Sequence, residues 1–265
     1  MKKITDEDIK KNIDSKMSNI LLNENVFSIN TSIYRIFKMN YFIKMLVNKK
    51  NVLVKPKLWD DPFENFIFRT GNFEVGAETQ FTSNYVRERF YGQCWTVNSN
   101  ETDALWRIYS PQKDGVLVKT TIDKLFSSIY NILDFRAYAS YFIGKVEYYN
   151  EEEIIEYLKQ GFKYYKLINN RWTATTLLIK RIEFSHENEI RLLFIEHRIK
   201  RAERNNIYSY SLNVNEVFDE VVFDPRINDN DFKKNEYFIR KYGFNGIIKK
   251  SMLYQIPNIN ARLID

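Results

Sequence analysis

The chain has 265 residues, 44% of them hydrophobic and 28% charged, which is ordinary for a soluble globular protein with a sizeable core. Lysine and arginine exceed aspartate and glutamate by 40 to 34, a formal +6, and this mild excess eases the approach of nucleic acid or nucleotides without forming a basic arm. A single cysteine, Cys94, excludes an internal disulfide and fits a reducing cytoplasm.

Residues 1–28 are charged and Asn-rich. "MKKITDEDIKKNIDSKM" has no apolar h-region, so no secretory signal is expected. Ile9, Ile13, Met17, Ile20 and Leu21 recur near helical spacing, which predicts an N-terminal helical extension. Residues 29–265 read as one domain. "SIYRIF" is a strand with Arg35 in its middle. "MNYFIKMLVNKK" is an amphipathic helix with Asn40 as its cap. "NVLVKP" is a strand stopped by Pro56, and "KLWDDPFEN" a loop with turn chemistry at Asp61-Pro62.

"GNFEVGAETQFTSNYVRERF" reads as irregular or helical, and "YGQCWTV" as a strand. "ETDALWRIYS" is a short helix capped by Asn98 or Asn100. "DGVLVKTT" is a strand entered through an Asp-Gly turn, and "TIDKLFSSIYNIL" a helix capped by Thr121. "YFIGKVEYY" reads as one strand, "NEEEIIEYLKQGFKYYKLI" as a helix with acids at its positive end, and "NRWTATTLLIKRIEF" as a further helix. "ENEIRLLFIEH", "IYSYSLN" and "VFDEVVFDP" are strands, followed by the helix "NDNDFKKNEYFIRKYGF" and the strand "GIIKKSML". The expected fold is α+β, a mixed and mainly antiparallel sheet with packed helices. No stretch approaches the roughly twenty apolar residues of a membrane span, so the expected setting is cytoplasmic with no membrane partner.

Three features carry chemistry. Arg35, on an early strand followed at once by a helix, suits the anchoring of a phosphate, because a guanidinium meets phosphate oxygens in pairs; the bland alternative is a surface arginine on an edge strand. Thr96 and Gln93 of "GQCWTV" can position a ribose or a carboxylate by hydrogen bonding. Glu187 and Glu189, two residues apart, project from one face if "ENEIRLLFIEH" is a strand throughout. Two such carboxylates can hold a ribose hydroxyl and stabilise an oxocarbenium-like centre; alternatively they are exposed and paired with Arg191 or Lys180. His186 is a candidate base or a partly exposed cap. His197 has no nucleophile elbow to serve. Trp95 and Trp106 offer stacking faces or core packing. Two histidines and one cysteine argue against structural zinc, and no Walker A, G-x-G-x-x-G or H-E-x-x-H sequence is present. Two other classes stay open: a nucleic-acid-binding module using "YVRERFYGQ" and "EHRIKRAERNNIY", and a magnesium nuclease using Asp60, Asp61, Glu64 and Glu189.

The blocks "YRIFKMNYFIKMLVNKKNVLVKPKLWDDPFEN", "GQCWTVNSNETDALWRIYSPQKDGVLVKT", "GKVEYY", "FSHENEIRLLF" and "VFDEVVFDPRI" resemble, in succession, those of domain-of-unknown-function family 2971, a bacterial and phage-associated group. "WDDPFE", "CWT" and "LWRIY" stand where that family shows F-N-D-P-F-D, C-F-S and M-W-x-x-Y. The order of elements is also similar to that of ADP-ribosyltransferases: arginine on an early strand, a hydroxyl-bearing strand, then E-x-E. "CWT" offers one hydroxyl where that pattern has three. This resemblance implies an ADP-ribosyltransferase-like fold and NAD as a consumed substrate, with no metal. Arg35, Thr96, Trp106 and Tyr109 would contact NAD, Glu189 would be the catalytic glutamate, and Glu187 the acceptor-side acid. It further implies a toxin-like effector in antiviral defence, with a protein or nucleic-acid acceptor and an antitoxin or defence-system partner.

Overall fold

The computed structural model describes residues 4–22, 27–59, 61, 72–74, 80–82, 88–98, 101–164 and 170–256. A helix, Asp6–Ser18, leads into strand β1 (Ile20–Leu21). Thr5 and Asp8 cap this helix reciprocally: the Asp8 N–H donates to the Thr5 hydroxyl at 3.2 Å and the Thr5 N–H donates to the Asp8 carboxylate at 3.0 Å. Asn12, fully buried, donates from Nδ2 to the carbonyls of Ile132 and Asp134, each at 2.8 Å. Residues from the first 28 are therefore stitched to the body of the molecule, and β1 adds a strand to the main sheet.

Next come β2 (Ser32–Lys38), the helix Met39–Asn48 and β3 (Lys50–Val54). The helix buries Met39, Phe42, Met45 and Leu46 on one stripe, the spacing that a 3.6-residue turn dictates. Lys38 occupies its N-cap with no side-chain bond, so Asn40 is not the cap; Lys49, left-handed at φ 51°, ends it. Two short strands, β4 (Asn72–Glu74) and β5 (Gln80–Thr82), pair antiparallel within the stretch read as irregular or helical. Then follow β6 (Phe90–Thr96), the helix Asp103–Tyr109, β7 (Gly115–Thr121) and the helix Ile122–Ile129. Thr102, not Asn98 or Asn100, caps the first helix, accepting from the Leu105 N–H. Thr121 caps the second, which buries Ile122, Leu125, Phe126 and Ile129.

"YFIGKVEYY" divides into β8 (Tyr141–Lys145) and β9 (Glu147–Tyr149) about the buried Val146. The stretch read as one helix after residue 169 is a helix only over Asn170–Thr176; it continues as β10 (Ile179–Arg181) and a 3-10 helix, Ile182–Glu187. Between these lies the helix Glu151–Tyr164. The chain finishes through β11 (Glu189–Ile195), the helix Ile199–Arg204, β12 (Ile207–Ser211), a turn of helix at Val214–Val217, β13 (Glu220–Phe223), the helix Asp229–Lys241 and β14 (Ile247–Lys250).

Ten strands form one sheet in the order β1-β8-β11-β6-β2-β7-β13-β14, with β3 joining β6 and β12 joining β3. Only β1–β8 and β13–β14 are parallel pairs in it; the others are antiparallel. This is the α+β fold read from the sequence, a mixed and mainly antiparallel sheet with packed helices. All seven residues of β11 are buried because both of its faces are covered. Ile190, Leu192 and Phe194 enter the main core with Trp95, Phe42 and Phe126. Leu193 and Ile195, on the opposite face, enter a second core with Phe142, Leu177 and Leu178. Glu189 and Arg191 share that second face, so their charges sit in the middle of a covered sheet. No helix among the described residues is long and apolar enough to cross a membrane.

Candidate functional site

The site begins at a fork in the sheet. On the side away from β11, β6 is paired with β2 only through Thr96 and Tyr34, and with β3 only through Gly92 and Val54. Between these two contacts the described strands leave a gap in the pairing of β6 on this side, at the level of Cys94. The gap is filled by Arg35, whose Nη1 donates to the Cys94 carbonyl. The bland reading of Arg35 as a surface arginine on an edge strand is thus corrected: β2 lies between β6 and β7, and Arg35 Nε is buried with no hydrogen-bond partner among the described residues. Burial pulls the guanidinium below its ordinary pKa, against the opposing influence of Cys94, Tyr109 and Glu189. Among the described residues no carboxylate forms an ion pair with it.

A cavity of about 100 Å³ opens beside the fork, lined among others by Arg35, Cys94, Thr96, Tyr109, Glu187 and Glu189. These side chains come from β2, β6, the Asp103–Tyr109 helix, the 3-10 helix and β11, elements far apart along the chain. Trp106 does not line it. That ring is 1% exposed, packs with Leu117 and Val222, and donates from Nε1 to Glu101 at 3.1 Å. Gln93 lies in the main body of the sheet, bonded to Asn51 and Val52. Trp95, 2% exposed, forms part of the cavity wall while its Nε1 donates to Gln93.

Glu187 and Glu189 are not successive same-face residues of one strand. Glu187 ends the 3-10 helix, Asn188 is left-handed at φ 45°, and β11 starts at Glu189. Asparagine tolerates that conformation better than most residues. The break nevertheless leaves both carboxylates on one cation: Lys180 Nζ lies 2.6 Å from Glu187 and 3.4 Å from Glu189. Arg191 grips Glu189 with two nitrogens, Nε at 3.0 Å and Nη2 at 2.9 Å, and donates its Nη1 to the Leu177 carbonyl at 2.7 Å. The Trp59 ring covers this guanidinium, 4.5 Å from centroid to Cζ, a cation–π contact. Its side chains therefore run Arg191, Glu189, Lys180, Glu187 in alternating charge. The alternative of exposed glutamates paired with Arg191 or Lys180 holds for the pairing and not for the exposure: the Glu189 side chain is 4% exposed and that of Glu187 19%.

Burial pushes the Glu189 carboxyl up, but the charge and hydrogen bonds of Arg191, then Lys180 and a hydrogen bond from Cys94, outweigh it and hold the pKa down at about 2. Glu189 is therefore ionised at neutral pH. Thr96 fixes the approach to Glu187: its hydroxyl donates to the Glu187 carbonyl at 2.7 Å and accepts from the Asn98 N–H at 3.1 Å. Partial burial and the neighbouring glutamates push the Tyr109 phenol up to about 12, with Lys180 opposing, so it is a hydroxyl donor at neutral pH.

Sequence reasoning missed two residues behind Glu189. The Glu189 N–H donates to the Tyr148 hydroxyl at 2.9 Å, and Lys145 Nζ donates to the Glu189 carbonyl at 3.4 Å. Burial brings Lys145 down to about 8, with Glu189 opposing. Both lie in "GKVEYY", which periodicity presents as strand residues with no chemical mark.

The histidines do not join this site. His186 is exposed and stays near the Glu183 carbonyl. His197 contacts Arg89 and Ser140, each at 3.0 Å; burial and the charges of Arg89 and Arg136 bring it down to about 4. Of the nuclease set, Asp60 and Glu64 lie outside the described residues, and Asp61 pairs with Arg181 at 3.1 Å. Among the described residues no group of three His, Cys, Asp or Glu could hold a metal ion.

Chemically, the cavity joins a cation with no ion pair among the described residues, a neutral phenol and two fixed carboxylates, one of them more accessible. Such a set can hold a ligand with an anionic end and a centre that gains positive charge. No curated protein and no solved structure matches the chain. Residues 105–192, which carry Tyr109, Lys180, Glu187, Glu189 and Arg191, match the model of the family described as protein of unknown function (DUF2971), the family that the sequence blocks resemble.

Proposed function

We propose that the protein consumes NAD, as an ADP-ribosyltransferase or NAD glycohydrolase, with only the nicotinamide-ribose end at the cavity beside the fork, since about 100 Å³ leaves the rest of the dinucleotide outside it. One observation carries this reading: Arg35, Thr96, Tyr109, Glu187 and Glu189, marked by sequence order alone, line a single cavity. In the reaction the bond from the ribose carbon to the nicotinamide nitrogen breaks and its electron pair leaves with the nitrogen. The ribose carbon gains positive charge, and an acceptor or water then bonds to it and gives up a proton. Fixed negative charge beside that carbon stabilises the transition state more than the ground state.

Glu187 is the better placed to supply that charge, since its carboxylate has Lys180 on one side and the cavity on the other. Glu189, locked by Arg191 and touching Lys180, acts as the positioning carboxylate that keeps this cation in place. Arg35 offers its charge to a phosphate. An effector role in antiviral defence, with a protein or nucleic-acid acceptor, belongs to the same reading.

The test is to incubate the purified protein with NAD, alone and with protein or nucleic-acid acceptors, and to measure released nicotinamide. Wild type releases it, and Glu187→Gln lowers the kcat of the folded fraction by about a hundredfold, in line with the loss of a transition-state charge partner. A lower melting temperature accompanies it, because Lys180 loses its 2.6 Å partner, and the assay is run well below that temperature. No nicotinamide release under any of these conditions overturns the proposal.

A further inference from the structure

A second and larger cavity, of about 730 Å³, lies on the other branch of the fork, between the Met39–Asn48 helix and strands β3 and β12. Among the described residues, Arg35 alone lines both cavities. Its place in β2 accounts for this. Arg35 alternates with Tyr34 and Ile36, so its Cβ projects on the face of Phe37, which lines the larger cavity. The guanidinium then reaches into the gap between the strands to meet the Cys94 carbonyl.

Charge distinguishes the two cavities. The larger one presents Arg35, Lys44 and Lys50, and no aspartate or glutamate among its described lining residues. Lys44 and Lys50 are exposed and take part in no salt bridge among the described residues; Lys44 lies 5.7 Å from the Tyr41 ring centroid. Three cations around one concavity with no counter-charge focus a positive potential there. The floor is rigid. Asn51 and Gln93 exchange amide hydrogen bonds at 3.1 and 3.0 Å, Asn51 Nδ2 also reaches the Tyr210 hydroxyl at 2.9 Å, and Trp95 donates to Gln93 at 3.0 Å. These amides are occupied, so the charged donors that face a ligand are Arg35, Lys44 and Lys50, with the neutral groups of Asn48, Ser209 and Tyr41 beside them.

A lone phosphate would leave most of this space unfilled. The volume falls in the range of small-molecule and cofactor sites, and Met45, Val52, Val54 and Ile207 supply an apolar wall of the kind that takes a sugar and a base. The ring of Tyr41, 58% exposed on the rim, adds a stacking face. We infer that this cleft is a nucleotide site, for a nucleoside diphosphate or triphosphate, separate from the carboxylate cavity. Lys44 and Lys50 meet the phosphates, and Arg35 senses the occupant from the fork. The inference goes beyond the NAD reading and survives its failure.

Titration calorimetry of the full chain with ADP and with inorganic pyrophosphate, at low and moderate salt, tests it. Wild type binds ADP more tightly than pyrophosphate, and both more weakly as salt rises. The double variant Lys44→Glu/Lys50→Glu, whose altered side chains are exposed, keeps the wild-type melting temperature and binds ADP at least about tenfold more weakly. Glu187→Gln binds ADP as wild type does. Three results overturn the inference: no binding of either probe, ADP binding unchanged in the double variant, or binding of a single-stranded oligonucleotide with neither probe bound. NAD turnover is scored separately, so the two proposals fail by different measurements.

Discussion

Replacing Glu189 by glutamine keeps the shape of the side chain and removes its charge. Arg191 and Lys180, with side chains 1% and 6% exposed, then share a buried space without their central counter-ion. Removing one partner of a buried ion pair costs about 3–5 kcal/mol, because the other charge stays buried and uncompensated. The fall of the Glu189 carboxyl from 4.5 to about 2 gives roughly 3 kcal/mol by an independent route. The pH dependence has a definite sign. Glu189 has a lowered pKa in the folded protein, so its contribution is fully present above pH 4.5 and is lost as pH falls toward 2. Urea unfolding of wild type and Glu189→Gln at pH 7 and pH 3 should show a gap of about 3 kcal/mol that shrinks by roughly half at the lower pH. The double variant Glu189→Met/Arg191→Met should be less damaged than Glu189→Gln, since an apolar pair carries no desolvation penalty. A Glu189→Gln variant within about 0.5 kcal/mol of wild type at pH 7, or a gap that ignores pH, would refute the reasoning.

Gly92→Ala should destabilise the fold by about 1–3 kcal/mol, because the new Cβ would lie 2.6 Å from Trp59 Cζ2 and 3.1 Å from Leu193 Cδ2; a thermal melt checks this, and an unchanged midpoint would mean that Trp59 does not lie on the sheet. Thr96→Val keeps the volume and removes the hydroxyl that holds the Glu187 carbonyl and the Asn98 N–H. About 1–2 kcal/mol of stability should go with it. Nicotinamide release should drop in kcat more than in KM, whereas a purely structural hydroxyl would leave both constants of the folded fraction unaltered.

Local pattern revealed most strands and helices, because each buries a face whose spacing is visible in "SIYRIF", "TIDKLFSSIYNIL" or "GQCWTV". It misjudged places where the chain changes element without changing pattern. "ENEIRLL" alternates as a strand from its first glutamate, yet the left-handed Asn188 restarts the backbone in its midst; asparagine there was the available signal. Similarly, "YFIGKVEYY" is uninterrupted β composition, while its two halves pair with β11 and β10 in separate sheets. The environment of Arg35 was beyond any local reading, because the gap it fills exists only once β2 and β3 have both joined β6. Cys94 and Thr96, two apart on a strand, do share a face, and that much of the site was legible.

Stability alone does not account for the charged chain behind the cavity. An apolar set in place of Arg191, Glu189 and Lys180 would hold the second core at least as well, since desolvating ions consumes most of what their attraction returns. What an apolar set could not do is fix a carboxylate at the cavity edge. Lys180 holds Glu187 at 2.6 Å; Lys180 is in turn held by Glu189, and Glu189 by Arg191, itself clamped between Trp59 and the Leu177 carbonyl. Each link restricts the next, so that the last carboxylate, the more accessible of the two, meets a ligand with little freedom left to lose. Preorganised charge of this kind acts on a transition state without a reorganisation cost at the moment of reaction. The same logic applies across the fork: Arg35 forms no ion pair among the described residues, and its desolvation is only partly opposed by Cys94, Tyr109 and Glu189, so an anion bound there would gain from a cation already held in place by the Cys94 carbonyl.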